Sequence, residues 1–278
     1  MIKAELDYII PEPIRYDEDK STINEEILEH LFNNSVIDRK FNHYLKGKSV
    51  VVVGPAPYVL NQDRVDFINS HDVVVRIKSI YIPPSMVDDL GSRGDILYTD
   101  NHETNDIMPG DEVIVSGDKS IINPSQVQKA EPMKFKYICS AYPQGEWFFD
   151  RFVPSLNYLS DITRVRITKD DPYFEVKKHT NRPNAGFAAL IDLLTTPLSE
   201  LYITGIDFYR TLYRGNYLNS KWTSDTVKRM AHDHDGIDPK TGKKDRHEPD
   251  LQFKYFKYNM YLKDKRIKLD PFLTKIID

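Results

Sequence analysis

The chain has one cysteine, Cys139, in 278 residues. That excludes an intramolecular disulfide framework and fits a reducing compartment. The surrounding "KYIC" reads as strand, so the thiol reads as a small core residue rather than a nucleophile. Long apolar runs are missing too. No stretch approaches the roughly 18 residues that a membrane span needs, and the N-terminus has no basic region followed by an apolar one. The expectation is an unanchored cytoplasmic protein. Charge of one sign is also lacking: the formal net charge is -4. Basic residues are scattered, and "KKDR" at Lys243–Arg246 reads as a solvated loop, so nucleic-acid binding is not expected. Neither common glycine fingerprint for nucleotides, G-x-G-x-x-G or G-x-x-x-x-G-K-[ST], occurs.

What is present is a repeated strand signal. "SVVVVG" ends at Gly54 and "HDVVVRI" spans His71–Ile77. Both are short β-branched runs of the kind covered on both faces in a parallel sheet. Weaker strands are expected at Asp95–Thr99, Glu112–Ser116 and Phe135–Cys139. A helix is expected at Asn184–Thr196, a strand at Glu200–Tyr209 and a further helix at Asp250–Leu262. "TINE" at Thr22–Glu25 matches a capping box opening a helix to about Asn33. Tyr142–Asp171 is the least legible part, and Tyr209–His247 is a long polar connection of the kind that is usually functional or mobile. Strands alternating with helices predict an α/β fold: a mostly parallel sheet flanked by helices, in a single domain. Residues 1–40 are expected to form an N-terminal extension and helix, and 41–278 the main domain.

In such sheets ligands lie beyond the carboxyl ends of the strands, where Gly54 falls. A helix is expected after it, offering its positive N-terminus to an anion, with the glycine allowing backbone approach. On these grounds "GPAP" reads equally as a plain turn or a ligand loop.

Three blocks in order add to this: "VVVGPAPYVLNQDRVDFINSHDVVVRI", "DLGSRGDILYTD" and "NRPNAGFAALIDLLTTPLSELYITGIDFY". They resemble the large and small motifs of glycosyltransferase family 29, the sialyltransferases, over about residues 48–262. The resemblance implies a Rossmann-like, GT-A-like sheet that binds a CMP-activated 2-keto sugar acid, sialic acid or Kdo, and transfers it with inversion to a glycan hydroxyl. It places Gly54, Pro55 and Ala56 against ribose and phosphate, with Asn184, Ala185 and Gly186 facing the same site. Arg76, Lys78 and Asp207 join the donor-binding set. Departures from the family pattern are Pro55 and Lys78 where asparagines are usual, and Asn184-Ala185 where Ser-Thr is usual.

The resemblance also carries over a base. The family's last motif is a His followed by a Glu at the start of a helix, and "HEPDLQ" supplies His247 with Gln252 in the Glu position. Imidazole suits that role at neutral pH. Tyr209, Tyr213 and His232 or His234 would contact the donor phosphate. "HDHD" at His232–Asp235 also admits a metal reading, but no cofactor and no metal are expected, because one leaving phosphate can be met by hydroxyls, imidazole and helix ends. Two other functions stay open. One is a catalytically inactive nucleotide-sugar-binding module. The other is an unrelated Rossmann enzyme such as a methyltransferase, which would want an acidic residue where the second strand ends in Arg76 and Lys78.

Overall fold

The computed structural model describes residues 35–78, 82, 86–99, 133, 135–143, 165–211 and 247–278. The expected helix at 24–33, the expected strand at Glu112–Ser116, and Tyr213, His232 and His234 lie outside these residues. Strands β1 (Ser49–Val53) and β2 (Val73–Ile77) form where predicted. They are joined by β3 (Ile96–Thr99), β4 (Tyr137–Ser140), β5 (Val165–Ile167), β6 (Glu200–Thr204) and β7 (Ile267–Leu269). All seven run parallel in one sheet of order β5-β4-β3-β2-β1-β6-β7. The chain therefore walks outward from β1 to β5 and returns to lay β6 on the other side of β1. The switch point, where ligands bind in open parallel sheets, lies between the carboxyl ends of β1 and β6.

Alternate side chains of the β-branched runs serve two helical layers. Val50, Val52, Val73 and Val75 pack with α1 (Ser35–Leu45), α4 (Asp170–Thr180), α5 (Ala185–Leu194) and α7 (Pro271–Ile277). Val51, Val53 and Val74 pack on the other face with α2 (Val65–Asn69) and α3 (Val87–Leu90). Each such buried aliphatic side chain is worth about 1.5–3 kcal/mol. Helix α5 is apolar apart from Asp192 and buried from Ala185 to Leu193, as suits a helix enclosed by its neighbours. Helix α6 (Pro249–Tyr255) starts on a proline and widens into a π-helical turn at Phe256–Tyr261.

The boundary expected between residues 40 and 41 falls inside α1, which docks on the sheet through Phe41 and Leu45. Asp38 of the same helix accepts from Arg166 Nε at 2.6 Å. Arg166 on β5 also forms a bidentate pair with Asp192 on α5, at 2.5 and 2.9 Å, and Tyr98 of β3 donates to the same carboxylate at 2.5 Å. Burial raises both the Tyr98 hydroxyl and the Cys139 thiol beside this pair, the thiol to about 12. Cys139 is thus an inert core thiol, as its sequence context predicts.

Candidate functional site

The expectation for the Gly54 turn needs correcting in its physics. No α-helix starts there. A 3-10 turn at Pro57–Val59 follows, then Asn61 and Asp63 at positive φ, and only then the five-residue α2. Nor does the turn hold a donor for an anion. Pro55 and Pro57 have no N–H, while Gly54 N and Ala56 N donate to the carbonyls of Thr204 and Gly205 at 2.8 and 3.0 Å. The glycine is required by packing: a Cβ on Gly54 would stand 2.2 Å from the Gly205 oxygen, and one on Gly205 (φ 74°) 2.7 Å from the Gly54 oxygen. The ends of β1 and β6 cross backbone to backbone, which only two glycines allow.

A buried polar cluster secures this crossing. Asp270 is fully buried, and its carboxylate accepts from the hydroxyls of Tyr58 and Thr204 at 2.9 and 2.7 Å and from Leu273 N, as the cap of α7, at 2.7 Å. The Tyr58 hydroxyl in turn accepts from Gly205 N at 2.7 Å. Burial, then the neighbouring Asp270 charge, hold that hydroxyl far above the ordinary tyrosine range.

Arg76 lies with the β2–β3 connection. Its Nε and Nη2 donate to the Arg93 carbonyl at 2.9 and 2.6 Å, and Nη2 to the Gly91 carbonyl at 3.2 Å. Lys78 stands just past β2 at the carboxyl edge, with φ at 54° and its N–H on the Tyr98 carbonyl.

The other motif residues converge. Asn184 caps α5, its Oδ1 accepting from Phe187 N at 2.9 Å, so Ala185 and Gly186 carry the first amides of a ten-residue helix. Gly186 is not forced by its surroundings as Gly54 is. A Cβ there would meet Asn184 Oδ1 at 3.3 Å and Ile206 no nearer than 3.5 Å. Ile206 also lies against Gly54, so one side chain separates the two motif glycines.

His247 sits just before α6, bridged to Asn181. Its Nδ1 is 2.8 Å from the Arg182 carbonyl, and its Nε2 3.3 Å from Arg182 Nη2. A carbonyl only accepts and a guanidinium only donates, so this geometry puts the proton on Nδ1 and leaves Nε2 as acceptor. The ring stacks on Tyr209, with centroids 6.2 Å apart. Tyr209 belongs to a strained turn after β6, where Phe208 and Tyr209 both have positive φ, at 55° and 61°. Consecutive left-handed residues of this bulk are costly, and such strain concentrates at functional sites. Asp207 holds the turn by accepting from the N–H and hydroxyl of Thr211. Burial raises its pKa, against the pull of those bonds.

Arg182 was not singled out in the sequence, although a lone Arg-Pro two residues before the helix cap was a usable signal. Tyr58 and Asp270, 212 residues apart, had none. Among the described residues no group of three or more His, Cys, Asp or Glu could hold a metal ion, and no helix is long and apolar enough to cross a membrane.

No family profile and no curated protein matches the chain. Among solved structures it is similar to a mammalian sialyltransferase, at 11% identity and a TM-score of 0.47 over 91% of this chain and 80% of that one. It is also similar to a mammalian sialyltransferase in complex with Gal-beta-1-3GalNAc-ortho-nitrophenol, at 10% identity and a TM-score of 0.45 over 82% and 71%. A third is the sialyltransferase CstII from Campylobacter jejuni with the substrate analogue CMP-3FNeuAc, at 12% identity and a TM-score of 0.40 over 80% and 78%.

Proposed function

We propose that the chain is an inverting glycosyltransferase that moves a 2-keto sugar acid, sialic acid or Kdo, from a CMP-activated donor to a glycan hydroxyl. The observation that carries this reading is the environment of His247. Past the carboxyl end of β6, an imidazole stacked on Tyr209 is held in the one neutral tautomer whose Nε2 can accept a proton, by Arg182, two residues before the Asn184 cap of α5. An attacking hydroxyl needs such an acceptor. The leaving phosphate needs positive potential, and the start of α5 supplies the equivalent of roughly half a charge.

The roles divide accordingly. Asn184, Ala185 and Gly186 take the phosphate side, and the β1 turn, lacking free donors, contributes surface contact from Gly54–Ala56. Arg182 lies on the base side. Its guanidinium is 3.3 Å from Nε2, and the donor's carboxylate, bonded to the anomeric carbon, is an alternative partner for that cation. Engaging it would release Nε2 to the acceptor hydroxyl. Transfer proceeds in this reading without a divalent ion.

Thermal-shift titration tests the reading. CMP should stabilise the chain more than UMP, GDP or NAD, by about 2.7 kcal/mol at a hundred times its dissociation constant. CMP release from CMP-sialic acid or CMP-Kdo should survive EDTA. A shift with a dinucleotide and none with millimolar CMP would remove the proposal, and loss with EDTA restored by manganese would reinstate a metal.

A further inference from the structure

Resting on that reading, we infer that Gln252 is the positioning residue that ties the base to the donor-binding helix, and that this site requires an amide there rather than a carboxylate. Gln252 is fully buried. Its Nε2 donates to the Arg182 carbonyl at 2.9 Å, the same oxygen that accepts from His247 Nδ1 at 2.8 Å. Its Oε1 accepts from Asn184 Nδ2 at 3.1 Å and lies 3.4 Å from Asn184 N.

Every direction in this chain is forced from its ends. The Arg182 carbonyl can only accept, so Gln252 must turn its NH2 toward it. Phe187 N–H can only donate, so Asn184 must turn its oxygen toward α5 and its NH2 toward Gln252. The two amides meet donor to acceptor without conflict. One line of hydrogen bonds thus runs from the first turn of α5 through Asn184 and Gln252 to the carbonyl that fixes the His247 tautomer. A glutamate here would set a carboxylate oxygen 2.9 Å from a carbonyl oxygen, both acceptors. It would fit only when protonated, and burial favours that form. Gln252 is therefore matched to Asn184 and is no sign of a decayed site. Among the described residues, the ionisable groups near it are His247, Arg182 and Glu248, the residue at the N-cap of α6.

Two measurements decide this. The first is long-range proton–nitrogen NMR on ring-labelled protein. It should show the His247 proton on Nδ1 in the wild type and a mixture of tautomers in Gln252→Met. A wild-type proton on Nε2 overturns the proposal whatever the enzyme does. The second is the ratio of kcat for Gln252→Glu to wild type as a function of pH. It should be near one while residue 252 is protonated and fall as pH rises, toward a loss of roughly 10²-fold, the low end for a misplaced base, with KM changing little. A flat ratio overturns it. If the wild type transfers nothing, the transferase reading fails while the NMR result still judges the positioning role.

Discussion

Around the β2–β3 connection, polar side chains mostly hold backbone, although Arg93 also pairs with Asp95 at 2.9 Å. Arg76 holds the carbonyls of Gly91 and Arg93, Arg93 holds those of Asn69 and His71, and Asp72 takes the N–H and hydroxyl of Ser49. Between β6, α5 and α6, polar side chains reach for one another as well: His247 and Arg182, Gln252 and Asn184, Tyr209 over His247. The first arrangement leaves the ends of strands tied down. The second leaves a histidine nitrogen as an acceptor, its ring stacked on a tyrosine whose backbone is bent to positive φ. Both regions lie in blocks that resemble family motifs, the first in the large motif and the second in the small and last ones, so resemblance alone does not separate residues that build the sheet from residues that would act on a ligand.

The sharpest test of the second region is His247→Ala. Transfer should fall roughly 10²–10⁴-fold while CMP affinity stays within a few-fold, since a base acts on the transition state rather than on donor binding. Turnover near wild type would move the base elsewhere.

A pair of glycine variants then sets one region against the other. In Gly54→Ala the new methyl meets the Gly205 backbone at 2.2 Å, and overpacking of this kind costs about 1–3 kcal/mol, read as a lowered melting temperature. In Gly186→Ala the tightest contact is 3.3 Å, and the gain of about 1 kcal/mol in helix propensity offsets it. The protein should stay as stable but lose much of its CMP shift. Equal effects of the two on stability would erase the distinction.

The smallest effect concerns Asp207. Its folded pKa is raised, chiefly by burial, above 3.8. The native state therefore binds the proton more tightly than the unfolded chain, and the associated stability is present below that value and lost as pH rises through the folded pKa. Denaturant unfolding of wild type against Asp207→Asn should show the wild type losing ground as pH rises from about 4. A difference independent of pH would mean that Asp207 titrates normally.

Much of this architecture was legible because it depends on local pattern. β-branched runs bounded by polar turns gave β1, β2 and β6, and a near-continuous apolar stretch behind an Asn cap gave α5. Strand β5 was not legible: it is three residues with Arg166 at its centre, and hydropathy argues against burying it. Helices α4 and α7 and strand β7 escaped for a related reason, being short or strongly charged segments next to stretches that show no period. His247 was singled out by the family resemblance, whereas its tautomer was not legible, because that depends on Arg182, 65 residues away.

By itself, then, the sequence determined the class of fold and which residues to propose for a site, since side-chain alternation and glycine position act within a few residues of chain. Only the tertiary structure decided what those residues do. It placed Asp192 and Asp38 on Arg166, so that a charge could enter the core. It gave the Gly54 amide to β6 instead of to a ligand, and it aligned Gln252 between Asn184 and Arg182. Each of those outcomes depends on a hydrogen-bond partner distant in sequence, and a buried polar group takes its role from the partner it meets.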